Sequence, residues 1–139
     1  MITLLDVHLT VVFATIAAVL YSDEQAFLWL VGKKERLSAR LVRLLHAGVS
    51  FGLALLILTG GLLYIKAPQA YLSNTTFLIK MTAIAALIIN TYAIERLSSF
   101  ATTRPYASLT RDEHLPLFIS GIVSVLGWSI AILCGYFLG

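Results

Sequence analysis

The chain has 139 residues, 59% of them hydrophobic and 12% charged, with a formal net charge of +3 and a mean hydropathy of +0.90. Soluble domains carry roughly 25% charged residues, so this composition cannot clothe a water-facing globule, and the expected solvent is lipid. The basic residues gather in short segments between apolar runs, which excludes a nucleic-acid binder, and the single cysteine, Cys134, excludes an internal disulfide or a CxxC motif.

The start, "MITLLDVHLTVVF", has no basic stretch, and its apolar run contains Asp6 and His8. A first membrane span is expected there rather than a cleaved signal peptide. A bilayer core takes about 20 residues of helix, and the chain offers four such runs, about 3–31, 40–65, 76–97 and 111–138. The first could break at Ser22, where S-x-x-Q forms a weak capping box. The absence of Gly or Pro before Gly32 favours one long helix instead.

Ser38, Asn74 and Thr110 are the expected N-caps of the later spans, and Thr110-x-x-Glu113 reads as a capping box. Pro116 follows closely, so the fourth helix either starts near Arg111 or begins or kinks a little later. The first connection carries Lys33, Lys34, Arg36, Arg40 and Arg43, and the third carries Arg96, Arg104 and Arg111. The second has only Lys66. The positive-inside rule then puts connections one and three in the cytoplasm and both termini outside the inner membrane.

In lipid, helices associate through small residues and polar contacts. Ser120, Ser124, Gly127, Ala131 and Gly135 form one small-residue stripe, and Gly48 and Gly52 form a GxxxG pair. Either set could pack within the chain or between copies in a homo-oligomer. Polar stripes mark the expected inward faces: His8, Thr15, Ser22 and Asp23; His46, Ser50, Leu53, Ile57, Gly60 and Tyr64; and Lys80, Ile84, Leu87, Thr91 and Glu95.

Counting residues from each connection places His46 level with Asp23 and Glu24, and near Glu95, Glu113 and His114. Such an inner layer could hold a divalent metal (Fe, Zn or Mn) through His46, Asp23, Glu24 and Glu113. The plainer reading is charge neutralisation at the interface. An outer level contains His8 and Lys80, where a histidine could ligate a cofactor iron or simply hydrogen-bond a neighbouring backbone group.

The run "FLIKMTAIAALIINTYAIERL", His8 early in span one, Arg40 to His46 followed by Thr59-Gly60, and Tyr71 to Lys80 together resemble a broad group of small bacterial four-span membrane proteins. That group includes uncharacterised members, the copper-resistance D-type membrane domain and the membrane-type protoporphyrinogen oxidase. The resemblance implies haem b binding involving His8 and Lys80; apart from the resemblance, His46 could serve as a further ligand at the other leaflet. The oxidase's aromatic-Leu-Pro-Arg run is replaced here by "LYSDEQAFLWL", which argues against protoporphyrinogen as substrate, and there is no Met-rich or His-rich copper cluster.

The expected architecture is therefore all-α, an antiparallel four-helix membrane bundle forming one domain over 1–139. The expected function is that of a small membrane redox protein binding haem b, with a redox partner that the sequence does not identify. The alternatives are a non-haem divalent-metal binder or transporter, and a structural membrane subunit without a cofactor.

Overall fold

The computed structural model describes residues 1–138. The chain is all-α: α1 (Leu4–Leu30), α2 (Ala39–Lys66), the short α3 (Pro68–Leu72), α4 (Thr75–Thr103), a 3-10 turn (Tyr106–Ser108) and α5 (Arg111–Leu138). Four of these helices are long and apolar enough to cross a membrane, as the four-helix bundle expected from the sequence requires. At 1.5 Å per residue each is about 40 Å long, more than the roughly 30 Å hydrocarbon core.

Helix α1 runs unbroken through Ser22. Thr3 and Asp6 begin it with a reciprocal capping box, Asp6 N–H donating to Thr3 Oγ1 and Thr3 N–H to Asp6 Oδ2. Gly32, at φ 81°, ends it in the left-handed conformation that suits glycine. The three expected caps are present: Leu41 N–H donates to Ser38 Oγ, Thr76 N–H to Asn74 Oδ1, and Thr110 and Glu113 close their box. Helix α5 starts at Arg111 and passes through Pro116. Helix α4 continues six residues beyond the expected end at 97, to Thr103. Nothing in "SSFATT" breaks a helix, and the stop comes where Pro105 restricts Arg104.

The chain divides into two compact units, Met1–Lys66 with Ser98–Leu109, and Ala67–Leu97 with Thr110–Gly139. In the first, α1 packs on α2. His8, Thr15, Ser22 and Trp29 stand seven residues apart, and His8, Thr15 and Trp29 are buried. Their counterparts on α2 are Thr59 and Gly52, also seven apart and buried. A seven-residue seam of this kind belongs to helices crossing at a shallow angle. Phe13, Leu20 and Phe27 on α1, and Phe51, Leu58 and Ile65 on α2, repeat at the same step and are exposed. Polar and small residues face the partner helix while large apolar ones face outward, the arrangement a lipid solvent selects.

In the second unit α4 and α5 meet along Ala83, Leu87 and Asn90 on one side and Ser120, Gly127 and Cys134 on the other, all buried. Asn90 Nδ2 donates to the Ser120 carbonyl at 3.2 Å, and Ser120 Oγ donates to Asn90 Oδ1 at 2.8 Å. The small-residue stripe of α5 is thus taken up within the unit, as is Gly52 within the first. Gly48, the other half of the GxxxG pair, has open space beside it. Removing the serine hydroxyl strands a buried amide oxygen, so Ser120→Ala is expected to destabilise the protein by about 1 kcal/mol. A double-mutant cycle with Asn90→Leu, read by thermal unfolding in detergent, measures the coupling; additive losses would show that the pair is not coupled.

Candidate functional site

His8 lies just over one turn into α1, on the face packed against α2, and is 8% exposed. Its Nδ1 is 2.6 Å from Thr59 Oγ1. The same Thr59 oxygen is 2.8 Å from the Leu55 carbonyl one turn back. A threonine hydroxyl has a single proton. With that proton directed to Leu55 O, which can only accept, Thr59 Oγ1 receives the hydrogen bond from His8 Nδ1–H. The lone pair of the ring then resides on Nε2. Orientation of one imidazole nitrogen by a hydrogen-bond acceptor is how proteins prepare the other to bind a metal. Gly60 leaves the Cε1 edge of the ring bare, a Cβ at that position standing 3.5 Å from His8 Cε1.

The local sequence explains this geometry. Thr59 bonds back to its own helix, which is the usual way a buried threonine satisfies its proton in a membrane helix. Gly60 beside it keeps the surface of α2 low at the level of His8. One heptad further in, Thr15 sits directly over Gly52, so close that the two backbones could not approach so nearly with any larger residue at 52.

The other expected site residues are distributed differently. Asp6 is held in the α1 cap and belongs to no site. Lys80 is half-buried in the second unit, its Nζ over Gly135, where a Cβ would stand 3.6 Å away. His46 is half-buried on α2, while Asp23 and Glu24 are exposed on α1. The register set by His8 with Thr59 and Thr15 with Gly52 does put His46 near the depth of Asp23 and Glu24, as expected. Glu113 is engaged in the α5 capping box. Among the described residues no group of three or more His, Cys, Asp or Glu is gathered where it could hold a metal ion.

The same register separates the two histidines. His8 is level with Thr59, and Thr59 is thirteen residues along α2 from His46, about 20 Å along the axis. They cannot ligate one iron.

Two inward faces differ from the stripes expected from sequence. On α2 the seam runs through Gly52 and Thr59 with Leu53, which is buried as expected, and Gly60 faces His8, whereas Ile57 is exposed. On α4 it runs through Leu87, as expected, and through Ala83 and Asn90, which the stripe did not contain, while Glu95 is exposed. His46, Lys80 and Glu95 lie toward helix ends, where long or polar side chains can reach the interface from several faces. They are weak guides to helix phase. Asn90, adjacent to the expected Thr91, was the missing marker: a buried amide must find partners and so fixes the face. Gln25, also buried, accepts from Lys34 Nζ at 2.5 Å.

No protein-family model, curated protein or solved structure matches this chain.

Proposed function

We propose that this chain is a small integral membrane redox protein that holds one haem b on His8. The observation that carries the reading is the buried His8 imidazole, held through Nδ1 by Thr59 in the tautomer that puts the ring lone pair on Nε2. A haem brings four nitrogen ligands of its own and needs as little as one protein side chain. Mononuclear zinc, iron or manganese sites draw three or more ligands from the protein, and among the described residues no three such donors are gathered. One well-oriented histidine therefore fits the haem better than the non-haem metal. When bound, the haem would supply one-electron chemistry.

His8 binds in this reading, and Thr59 holds the ring in one tautomer and one orientation. Gly60 leaves room beside the ring. Lys80 is carried over from the resemblance alone, as a cation for a propionate, and its replacement by methionine is expected to weaken haem retention. His46 would serve only a second haem. Haem content per chain tests the assignment: one is expected in both wild type and His46→Ala, and a fall on removing His46 would overturn the single-site reading.

We further infer that the protein sits in the inner membrane with both termini outside and connections one and three in the cytoplasm. The support is the placement of Lys33, Lys34, Arg36, Arg40 and Arg43 on the first connection, and Arg96, Arg104 and Arg111 on or beside the third, against Lys66 alone on the second. A cysteine introduced at Glu35 in a Cys134→Ala background is expected to resist membrane-impermeant thiol reagents in intact cells. Labelling of that cysteine without permeabilisation would invert the topology.

A further inference from the structure

The first and third connections are remote in sequence but folded together in the first unit. Trp29 Nε1–H donates to the Arg104 carbonyl at 2.9 Å, and the Trp29 ring stands edge-on to Tyr106 with centroids 5.2 Å apart. Leu37 N–H donates to the Ala101 carbonyl at 2.7 Å. Trp29, Leu37, Ala101 and Leu109 are all buried there. Arg104 is itself braced, its Nη2 donating to the Ser108 carbonyl at 2.7 Å. The result is a fixed apolar floor at the end of the spans, in place of two independent loops.

Around that floor the charge is strongly one-sided. Residues 31–43 carry five cations and one anion, Glu35. Lys33, Arg36 and Arg40 are exposed, and Lys34 is tethered to Gln25. All lie within a few residues of the ends of α1 and α2, at Leu30 and Ala39, which is headgroup depth for a membrane-spanning pair. Topology alone requires only that the cations be on one side. It does not require the two connections to be locked together over an aromatic base. Tryptophan and tyrosine rings at this depth favour the headgroup region, and guanidinium groups match phosphate oxygens in geometry as well as charge.

We propose that this end of the first unit is a binding surface for the phosphate of an anionic phospholipid headgroup. Lys33, Arg36 and Arg40 supply the charge, and the Trp29–Tyr106 floor holds them at a fixed height. The proposal is independent of the haem reading, because none of these residues touches His8 or Thr59.

The test uses the full-length protein purified in neutral detergent, with added phosphatidylglycerol, phosphatidylcholine or inorganic phosphate, read by thermal stability and by bound lipid in native mass spectrometry. Phosphatidylglycerol is expected to bind at least about tenfold more tightly than phosphatidylcholine and to raise the unfolding temperature. The triple variant Lys33→Gln, Arg36→Gln, Arg40→Gln should weaken phosphatidylglycerol binding roughly a hundredfold. Equal binding of the two lipids to the wild type would overturn the proposal whether or not the variant folds. So would a folded triple variant that keeps the preference. Inorganic phosphate reproducing the whole stabilisation would also overturn it, by showing a site for free anions instead of lipid.

Discussion

Replacing His8 by alanine is expected to abolish haem retention, leaving a protein without a Soret band. No other described side chain on the α1–α2 seam offers an imidazole at that depth, since His46 is about 20 Å away along α2. Thr59→Val keeps the shape of the side chain but removes the oxygen that accepts from Nδ1. The ring would lose its fixed tautomer and orientation, and loss of such a partner costs about 10- to 100-fold in metal affinity. Asp6→Asn, two residues from His8, should leave the spectrum intact, because Asp6 serves the α1 cap. Haem content and unfolding temperature of the apo-proteins, measured together, separate a lost ligand from a lost fold. His8→Ala retaining a full complement of haem would remove His8 from the site.

Gly52→Leu is expected to be the most damaging of the glycine substitutions, with a loss of about 3 kcal/mol or failure to assemble. A Cβ at 52 would fall within the Thr15 side chain. Thr15 is β-branched, has few rotamers in a helix and is held by its hydrogen bond to the Val11 carbonyl, so it cannot move aside. Gly127→Leu should cost less, near 1–2 kcal/mol. There the new Cβ would stand 2.7 Å from Leu87 Cδ2 and 2.9 Å from its Cγ, a lesser overlap than with Thr15 and against a leucine that has more rotamers than a helical threonine. Gly121, with nothing within 4 Å, is the control and should tolerate leucine within about 0.5 kcal/mol. Gly32 is not a suitable control, since its positive φ strains any side chain. Unfolding in detergent ranks the three variants, and equal stabilities would refute the packing described for both helix pairs.

The four spans and their caps were legible in the sequence because both follow from local chemistry. Apolar length is set by bilayer thickness, and Ser38, Asn74 and Thr110 each satisfy backbone N–H groups within their own turn. The continuity of α1 through Ser22 was legible for the same reason, as no residue there breaks a helix. Helix phase was harder to read. A soluble helix declares its inner face by hydrophobicity, whereas here both faces are apolar and the seam is marked only by small and polar residues. Reading phase from His46, Lys80 and Glu95 displaced two faces in part: Leu53 and Leu87 are buried as expected, but Ile57 and Glu95 are not, because polar groups near helix ends need not point inward. Thr59, Gly52 and Asn90 were the informative positions. His8 stood out in the sequence as an early histidine, but the threonine that orients it is fifty-one residues away, and only the pairing of α1 with α2 brings them together.

The docking of the first connection on the third was not legible at all. Nothing in the sequence pairs Trp29 with Tyr106, and the bond from Leu37 N–H to the Ala101 carbonyl depends on α4 continuing past Glu95 and Arg96 to Thr103. That extra length follows from the absence of a breaker before Pro105, a weak signal beside two adjacent charges.

The central claim, a haem on the Thr59-oriented His8, is tested most directly by the optical spectrum of the wild-type protein purified from haem-replete cells, oxidised and then reduced with dithionite. The account predicts a Soret band that shifts on reduction, with the α and β bands of a b-type haem and one haem per chain. A colourless protein from the same cells would contradict it.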